Sequence, residues 1–319
     1  MAFRSPREAA SIAKRLKGTP VKLVWSREDD VRGGYYRPMH VHRAEIGVDA
    51  SGMPTAWRHV VVGQSLLEGT PFAAFMKDGV DSSTVEGVND TPYNIPNFGV
   101  TVHHPKVNVP VLWWRSVGHT HSAFVMETLI EELAARAKVD PLTYRRNLLN
   151  PEAKKLRAAI DLLDEKSAAW RKGLPKGHAV GFAAHECFGT AVACAAEVSV
   201  RNKRPWIHRV TVAVGCGLAV NPLTVEAQFQ AGVGFGLSQL MAGGAITLKD
   251  GRVEQRNFDR YAPPYMPDAP VAVDVHIVPS AEAPTGCGEP PVPVISPAVV
   301  NALTKLTGKR YRTLPLVAV

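Results

Sequence analysis

The chain has 319 residues, of which 45% are hydrophobic and 21% charged, enough apolar material for a sizeable core of about two domains and incompatible with wholesale disorder. The net charge of +8 suggests an anionic ligand or an acidic partner; the basic residues are scattered, however, and Arg201-Asn202-Lys203-Arg204 reads as a solvated turn, so no nucleic-acid partner is expected. The sequence has no apolar run approaching ~20 residues, no secretory signal, and four cysteines without a C-x-x-C pair, which exclude a membrane span and argue against an iron–sulfur cluster or structural zinc held by this chain alone.

With 25 prolines and 26 glycines, short elements and many turns are expected. Residues 7–17 read as a helix with Ala9, Ala10, Ile12, Ala13 and Leu16 on one face and Gly18 as its stop. Thr19 to Trp25 (TPVKLVW) reads as a buried strand ahead of the polar stretch Ser26-Arg27-Glu28-Asp29-Asp30. Alternation over 39–65 predicts two strands around Asp49-Ala50-Ser51-Gly52, and 66–100, with Pro71, Pro92 and Pro96, is loop-rich. An extended segment to Trp114 then turns at Arg115–Thr120 into a helix over 122–138, with Phe124, Leu129, Leu133 and Ala134 at core spacing. Asp140 caps a further helix that has Pro141 at its first position.

Residues 151–176 are charged and helical, with Leu156, Ile160 and Leu163 inward. Strands are expected over 181–184, 192–200, 209–214 and 274–278, a hairpin over 246–253 turning at Lys249-Asp250-Gly251, a helix over 224–241 opened by Pro222, and a last helix over 297–307. The alternation predicts an α+β fold of mixed sheets and helices without internal repeats.

Three constellations carry chemistry. Glu289, in Gly286-Cys287-Gly288-Glu289-Pro290-Pro291, cannot sit in an ordinary helix or central strand. Glycines permit close approach and prolines stiffen the turn, as suits a base presented to a cofactor; on residue types alone an exposed loop glutamate is the plainer reading. Arg115-Ser116-Val117-Gly118 precedes a helix and can aim backbone N–H groups at an anion. His119-x-His121 suggests a metal pair if both share a face, but no third ligand is near in sequence, so no metal site is expected. His185-Glu186-Cys187-Phe188-Gly189-Thr190 has glycine where a zinc protease needs its second histidine, leaving a glycine loop against a ligand. The Gly232/Gly234/Gly236 series matches no dinucleotide or phosphate-loop motif and reads as close helix packing.

Taken in order, TPVKLVWSREDD, WWRSVGHTHSAF, GFAAHECFGTAV, AVGCGLAVNP, GAITLKDGRVEQRNF and TGCGEPPVPVISPAVVNAL resemble the molybdopterin-binding large subunit of the xanthine dehydrogenase/aldehyde oxidase family, in its isoquinoline 1-oxidoreductase β-subunit branch. The resemblance covers about residue 7 to the C-terminus. It implies that Glu289 is the general base beside molybdenum, taking the proton from a Mo–OH group whose oxygen goes to an electron-poor carbon. It further implies that Arg115, Ser116, Val117, Gly118, Phe188, Gly189, Thr190, Gln228 and Gly288 bind the cofactor, with Gln230 a less certain neighbour and Cys287 a variable position rather than a nucleophile.

The implied cofactor is a molybdopterin-type molybdenum cofactor, its cytosine dinucleotide form being one candidate. The implied substrate is an aldehyde or N-heteroaromatic compound, with water as the oxygen source. Electrons would leave through two-iron iron–sulfur clusters on a partner subunit, with a cytochrome c as a candidate acceptor. The division implied is 1–150, a first molybdopterin-binding part incomplete at its N-terminus, and 151–319, a second part carrying Glu289. Branch members are about twice as long, and their G-Q-G and G-G-G-F-G-R elements do not occur here, although Ala2-Phe3-Arg4 is a candidate tail of the second. A C-terminal part completed by an N-terminal portion on another chain is therefore expected, whether by a split gene, processing or truncation. The complex would be bacterial, on the periplasmic face of the inner membrane through its partners, or cytoplasmic. The rival expectation is a degenerate, non-catalytic scaffold that binds partner chains.

Overall fold

The structure, a computed structural model, describes residues 4–317 and 319; Ala2 and Phe3 of the candidate glycine-element tail lie outside them. It opens with helices α1 (Arg4–Arg15) and α2 (Arg27–Gly33), the second closed at its start by a reciprocal capping box between Ser26 and Asp29. The stretch TPVKLVW between them forms no strand. Its side chains alternate between exposed and half-buried over residues 20–25, with Val24 73% exposed. β-propensity alone does not make a ladder, and this segment pairs with no strand among the described residues.

Strands β1 (His40–Val48) and β2 (Pro54–Gly63) form the expected hairpin, and β3 (Asn97–His103) adds parallel to β2. Asp49 holds the turn by accepting the N–H groups of Ser51 and Met53 at 2.8 and 3.0 Å. Helices α3 (His119–Ala137), α4 (Pro141–Leu148) and α5 (Lys154–Lys172) follow. Asp140 caps α4 through the N–H groups of Leu142 and Thr143, as read from the sequence.

The larger sheet has the order β4 (Ala179–Cys187), β5 (Thr190–Arg201), β6 (Arg204–Gly215), β9 (Ala272–Ile277); β4 to β6 are an antiparallel meander and β9 runs parallel to β6. Helix α6 (Pro222–Leu240) and the small hairpin β7 (Leu248–Lys249) and β8 (Arg252–Val253) lie between β6 and β9, and α7 (Val292–Thr307) closes the fold. This confirms an α+β architecture with mixed sheets. The last helix starts five residues before the expected 297, because Pro293 lies in its first turn, where no N–H is needed, and Pro297 is tolerated within it.

The sheet is covered on both faces, and β5 shows why its composition is apolar without interruption. Val192, Cys194, Ala196 and Val198 point into the core shared with α6 and α7, while Ala191, Ala193 and Ala195 point into the core shared with α3, α4 and α5. Gly181 lets α7 lie directly on β4: a Cβ there would come within 2.0 Å of the Ala298 carbonyl oxygen.

A buried polar knot ties α3, α4, β4 and α7 together. Arg145, fully buried, donates to Glu127 Oε2 at 2.9 Å, to Glu131 Oε2 at 2.7 Å and to the Phe182 carbonyl at 3.2 Å. Burial alone would lower its pKa, but Glu127 and Glu131 hold it above its ordinary range. Tyr93 Oη and the Ala184 N–H, both at 2.7 Å, occupy the remaining acceptors of Glu127.

Candidate active site

Four segments converge at one end of this framework: the turn before α3, the β4–β5 turn, one face of α6, and the residues entering α7. The first and last are joined through the predicted residues. Ser116 donates its backbone N–H to Glu289 Oε1 at 2.8 Å and its hydroxyl to the Glu289 carbonyl at 2.6 Å. Arg115 Nε donates to the Gly288 carbonyl at 2.6 Å, and its terminal nitrogen reaches Gln228 Oε1 at 3.3 Å. The Arg115 guanidinium also lies over the Phe235 ring at 5.5 Å, and Phe235 packs on Trp114 at 4.7 Å. Partial burial lowers the Arg115 pKa, against the opposing charge of Glu289.

The turn is conformationally demanding, with φ of 76° at Ser116 and 48° at Val117. Consecutive left-handed residues other than glycine are costly, and Val117 is β-branched, so the surroundings must over-determine them. Part of that determination is local: Val117 N–H donates to the Trp114 carbonyl at 2.7 Å, and Thr120 Oγ1 donates back to the Val117 carbonyl at 2.9 Å.

Phe188 (φ 51°) and Gly189 (φ 74°) form the two-residue turn between β4 and β5, where consecutive positive φ values match the strand twist. Next to it, Thr190 Oγ1 donates to the Gly286 carbonyl at 2.7 Å, so the turn is fastened to the segment that carries Glu289. Phe188 stays 44% exposed, its ring edge-on to His119 at 5.2 Å.

Helix α6 reaches this segment through its glycines. A Cβ on Gly232 would lie 2.2 Å from Pro291 Cγ, and one on Gly236 would lie 2.5 Å from Ile295 Cγ2. Two members of the series therefore serve close packing, whereas Gly234 has nothing within 4 Å. Gln230 is not brought to the site; it donates to Glu226 along the helix at 3.1 Å.

The two histidines of His119-x-His121 are on a helix rather than a strand and diverge. His119 Nδ1 meets His185 Nε2 at 2.9 Å. His121 Nδ1 instead meets His42 Nε2 at 2.9 Å, His42 Nδ1 meets His59 Nε2 at 2.8 Å, and Trp57 Nε1 donates to His59 Nδ1 at 3.2 Å. Burial lowers the pKa of His59 to about 4 and of His42 to about 3, so both are neutral. An indole N–H can only donate, which fixes each tautomer in turn and leaves His121 Nε2–H without a partner among the described residues. No motif announced this chain of imidazoles.

The sequence reading also missed Glu86, whose Oε1 accepts the Gly118 N–H at 2.7 Å at the far end of the demanding turn. His119, His185 and Cys187 offer ligand atoms within 4.8 Å of one another, but the two imidazoles spend their facing nitrogens on each other. Burial raises the Cys187 thiol well above its usual range, with Glu86 and Glu289 adding to it, and burial pushes Cys287 up to about 12. Neither is a thiolate nucleophile at neutral pH.

The site thus offers a half-buried carboxylate with one oxygen fixed by a backbone N–H. The other oxygen, Oε2, has no hydrogen-bond partner among the described residues. Around it stand a guanidinium, a primary amide on α6, and glycines that leave Cβ-free surface at 286 and 288. These groups can take up a proton at Oε2 and present positive charge and an amide to an anionic ligand.

Comparison with known proteins gives the family setting of the chain. Two family profiles, each described as a molybdopterin cofactor-binding domain, match residues 6–149 and 127–270. The chain is 28% identical over 334 residues to a protein named membrane-bound aldehyde dehydrogenase [pyrroloquinoline-quinone] from Gluconacetobacter polyoxogenes, covering 97% of this chain and 43% of that one. It is also 28% identical over 318 residues to isoquinoline 1-oxidoreductase subunit beta of Brevundimonas diminuta, covering 97% and 40%. It spans less than half the length of both. Among solved structures, quinoline 2-oxidoreductase from Pseudomonas putida 86 superposes with a TM-score of 0.77 at 13% identity, covering 96% of this chain and 64% of that one. Aldehyde oxidoreductase from Desulfovibrio gigas superposes at 0.72 with 15% identity, covering 91% and 49%. These likenesses show the fold. No helix among the described residues is long and apolar enough to cross a membrane.

Proposed function

Because the chain belongs to the molybdopterin-binding large subunits of the xanthine dehydrogenase/aldehyde oxidase family, we propose that it supplies the C-terminal, base-carrying part of a molybdenum hydroxylase acting on an aldehyde or N-heteroaromatic substrate. The observation that carries this reading is the grip of Ser116 on Glu289. The carboxylate is aimed by a backbone N–H while Oε2 stays available to a reacting proton. The cofactor, when bound, supplies the Lewis acidity and the two-electron redox chemistry. Glu289 removes a proton from the water-derived nucleophile, while Ser116 N–H keeps the carboxylate oriented before and after transfer. Arg115, braced by the Gly288 carbonyl, Gln228 and Phe235, presents positive charge to an anionic cofactor. Phe188, exposed beside the segment, forms a wall against a planar substrate, and Gly189 and Gly288 keep backbone close to the bound group. The pyrroloquinoline quinone in one relative's name is not carried over, because both cofactor-domain matches are to molybdopterin.

Residues 1–150 and 151–319 form the two cofactor-binding parts in this reading. An N-terminal portion on another chain completes the site, an iron–sulfur small subunit with two-iron clusters takes the electrons, and a cytochrome c is the candidate acceptor. The cofactor form proposed is the cytosine dinucleotide, and the complex is a bacterial one, at the periplasmic face of the inner membrane through its partners or in the cytoplasm. Native mass spectrometry with metal analysis of the purified complex tests the assembly: molybdenum, iron and more than one chain are expected together. A complex with iron–sulfur partners but no molybdenum would instead establish a non-catalytic scaffold.

A further inference from the structure

Glu86 takes no part in the chemistry above, yet its carboxylate reaches the same turn as Glu289. Glu289 Oε1 holds Ser116 N–H at 2.8 Å, and Glu86 Oε1 holds Gly118 N–H at 2.7 Å. Carboxylates from two distant segments therefore grip both ends of a turn whose middle residues, Ser116 and Val117, are left-handed. A side-chain cap for α3 is otherwise lacking, so Glu86 also supplies the negative charge at the start of that helix. Loop and turn are packed backbone to backbone: a Cβ on Gly118 would lie 2.0 Å from the Ser83 carbonyl oxygen.

We propose that Glu86 is a positioning residue of the active site, whose carboxylate fixes the left-handed turn that delivers Ser116 N–H to Glu289. This inference rests on the reading of Glu289 as the base. A charged acceptor binds an N–H about twice as strongly as a neutral one, so the grip is full only when Glu86 is ionised. Burial raises Glu86 to about 7; the N–H groups of Gly118 and His119 oppose the rise, and Asp90 and Asp81 of its own loop add to it. From α3 the group facing it is His119, whose Nε2 lies 3.8 Å from Oε2. From β4, His185 stands behind His119, and Cys187 lies within electrostatic reach of Glu86. Burial lowers His119 to about 4, so the ring beside Glu86 is neutral while Glu86 titrates.

The sign follows directly. Lowering the pH through about 7 neutralises Glu86, loosens Gly118 and misaligns Ser116. For stability the sign is opposite. The native value lies above the ordinary 4.5, so the stabilising contribution is full below about 4.5 and is lost as pH rises through about 7. The test is Glu86→Gln, which keeps an oxygen for Gly118 N–H but never carries charge. In the molybdenum-loaded complex, kcat should be about tenfold below the wild-type alkaline plateau, with KM little changed and the acid limb near pH 7 abolished. In melting experiments on the same complex, the Tm of Glu86→Gln should gain on wild type as the pH rises from about 5 to about 8. A kcat–pH profile superimposing on wild type, or a Tm difference independent of pH, overturns the proposal. Retained turnover in Glu289→Gln would remove the base reading alone and leave the Glu86 melting result standing.

Discussion

Ser116 and Glu289 are joined twice, backbone N–H to carboxylate at 2.8 Å and hydroxyl to carbonyl at 2.6 Å, across 173 residues of sequence. The carboxylate is thereby oriented by main chain rather than by a mobile side chain. Glu289→Gln preserves size and the acceptor for Ser116 N–H but cannot take a proton at neutral pH. The complex should keep its molybdenum while turnover falls at least about a hundredfold. Near-normal turnover at full molybdenum content would end the assignment.

Arg115 is held by three features that a lysine cannot reproduce together: Nε on the Gly288 carbonyl, a terminal nitrogen on Gln228, and a planar face over Phe235. Arg115→Lys should therefore lower the molybdenum content or the turnover per molybdenum by about tenfold or more, although the charge is conserved. Metal analysis alongside steady-state kinetics separates the two; wild-type values for both would show that the bracing is dispensable.

The Arg145 knot governs stability rather than chemistry. Its replacement by leucine leaves Glu127 and Glu131 buried without their main cation, although Lys305 still reaches Glu131 Oε1 at 2.8 Å. A loss of about 3–5 kcal/mol is expected, because breaking one side of a buried ionic cluster costs more than removing all of it. Chemical denaturation reads this directly, and a loss below about 1 kcal/mol would mean that solvent reaches the cluster.

How much of this was legible in the sequence depends on whether the determinant is local. Asp140-Pro141, Pro222 and the turn at Asp250-Gly251 announce themselves by capping, helix-start and turn chemistry, and all three elements form at these positions. Trp25 and its neighbours had strand propensity, but pairing is a property of two segments and none partners this one among the described residues. At the site, the structure joins Arg115 to Gly288 and Gln228 and Ser116 to Glu289 by hydrogen bonds, whereas Gln230 turns along α6 to Glu226. Glu86 was invisible because a single acid in a loop has no periodicity, and its meaning comes from Gly118, 32 residues later. The imidazole chain was invisible for the same reason: Trp57, His59, His42 and His121 converge only after β1, β2 and α3 pack.

That chain makes the fold acid-sensitive in a defined window. His59 falls to about 4 and His42 to about 3, and His40, stacked on His121 at 3.6 Å, also falls to about 4, all from an ordinary 6.5 and chiefly through burial. The unfolded chain therefore binds more protons than the native one between these values, so stability is full above about pH 6.5 and falls as pH drops towards 3. Tm measured against pH should decline through this range, and His42→Gln should reduce the slope by about one proton per molecule. A flat profile down to about pH 4 would show that the imidazoles are hydrated.

The glycines of α6 supply a matched pair of tests on how closely this helix must approach Glu289. Gly232 faces Pro291, two residues beyond the base, with a Cβ position 2.2 Å from its ring, whereas Gly234 faces open space. Gly232→Ala must push α6 away from the entry to α7, carrying Gln228 from Arg115 and loosening Gly288 and Glu289. Gly234→Ala meets nothing and gains helix propensity worth up to about 1 kcal/mol. Opposite changes in stability are therefore expected from the same substitution two residues apart, a loss of about 1–3 kcal/mol at Gly232 and a small gain at Gly234, read by chemical denaturation. Turnover per molybdenum should fall only in Gly232→Ala. Equal behaviour of the two variants would show that α6 can shift without disturbing the segment that carries Glu289, and that its glycines are not there for close approach.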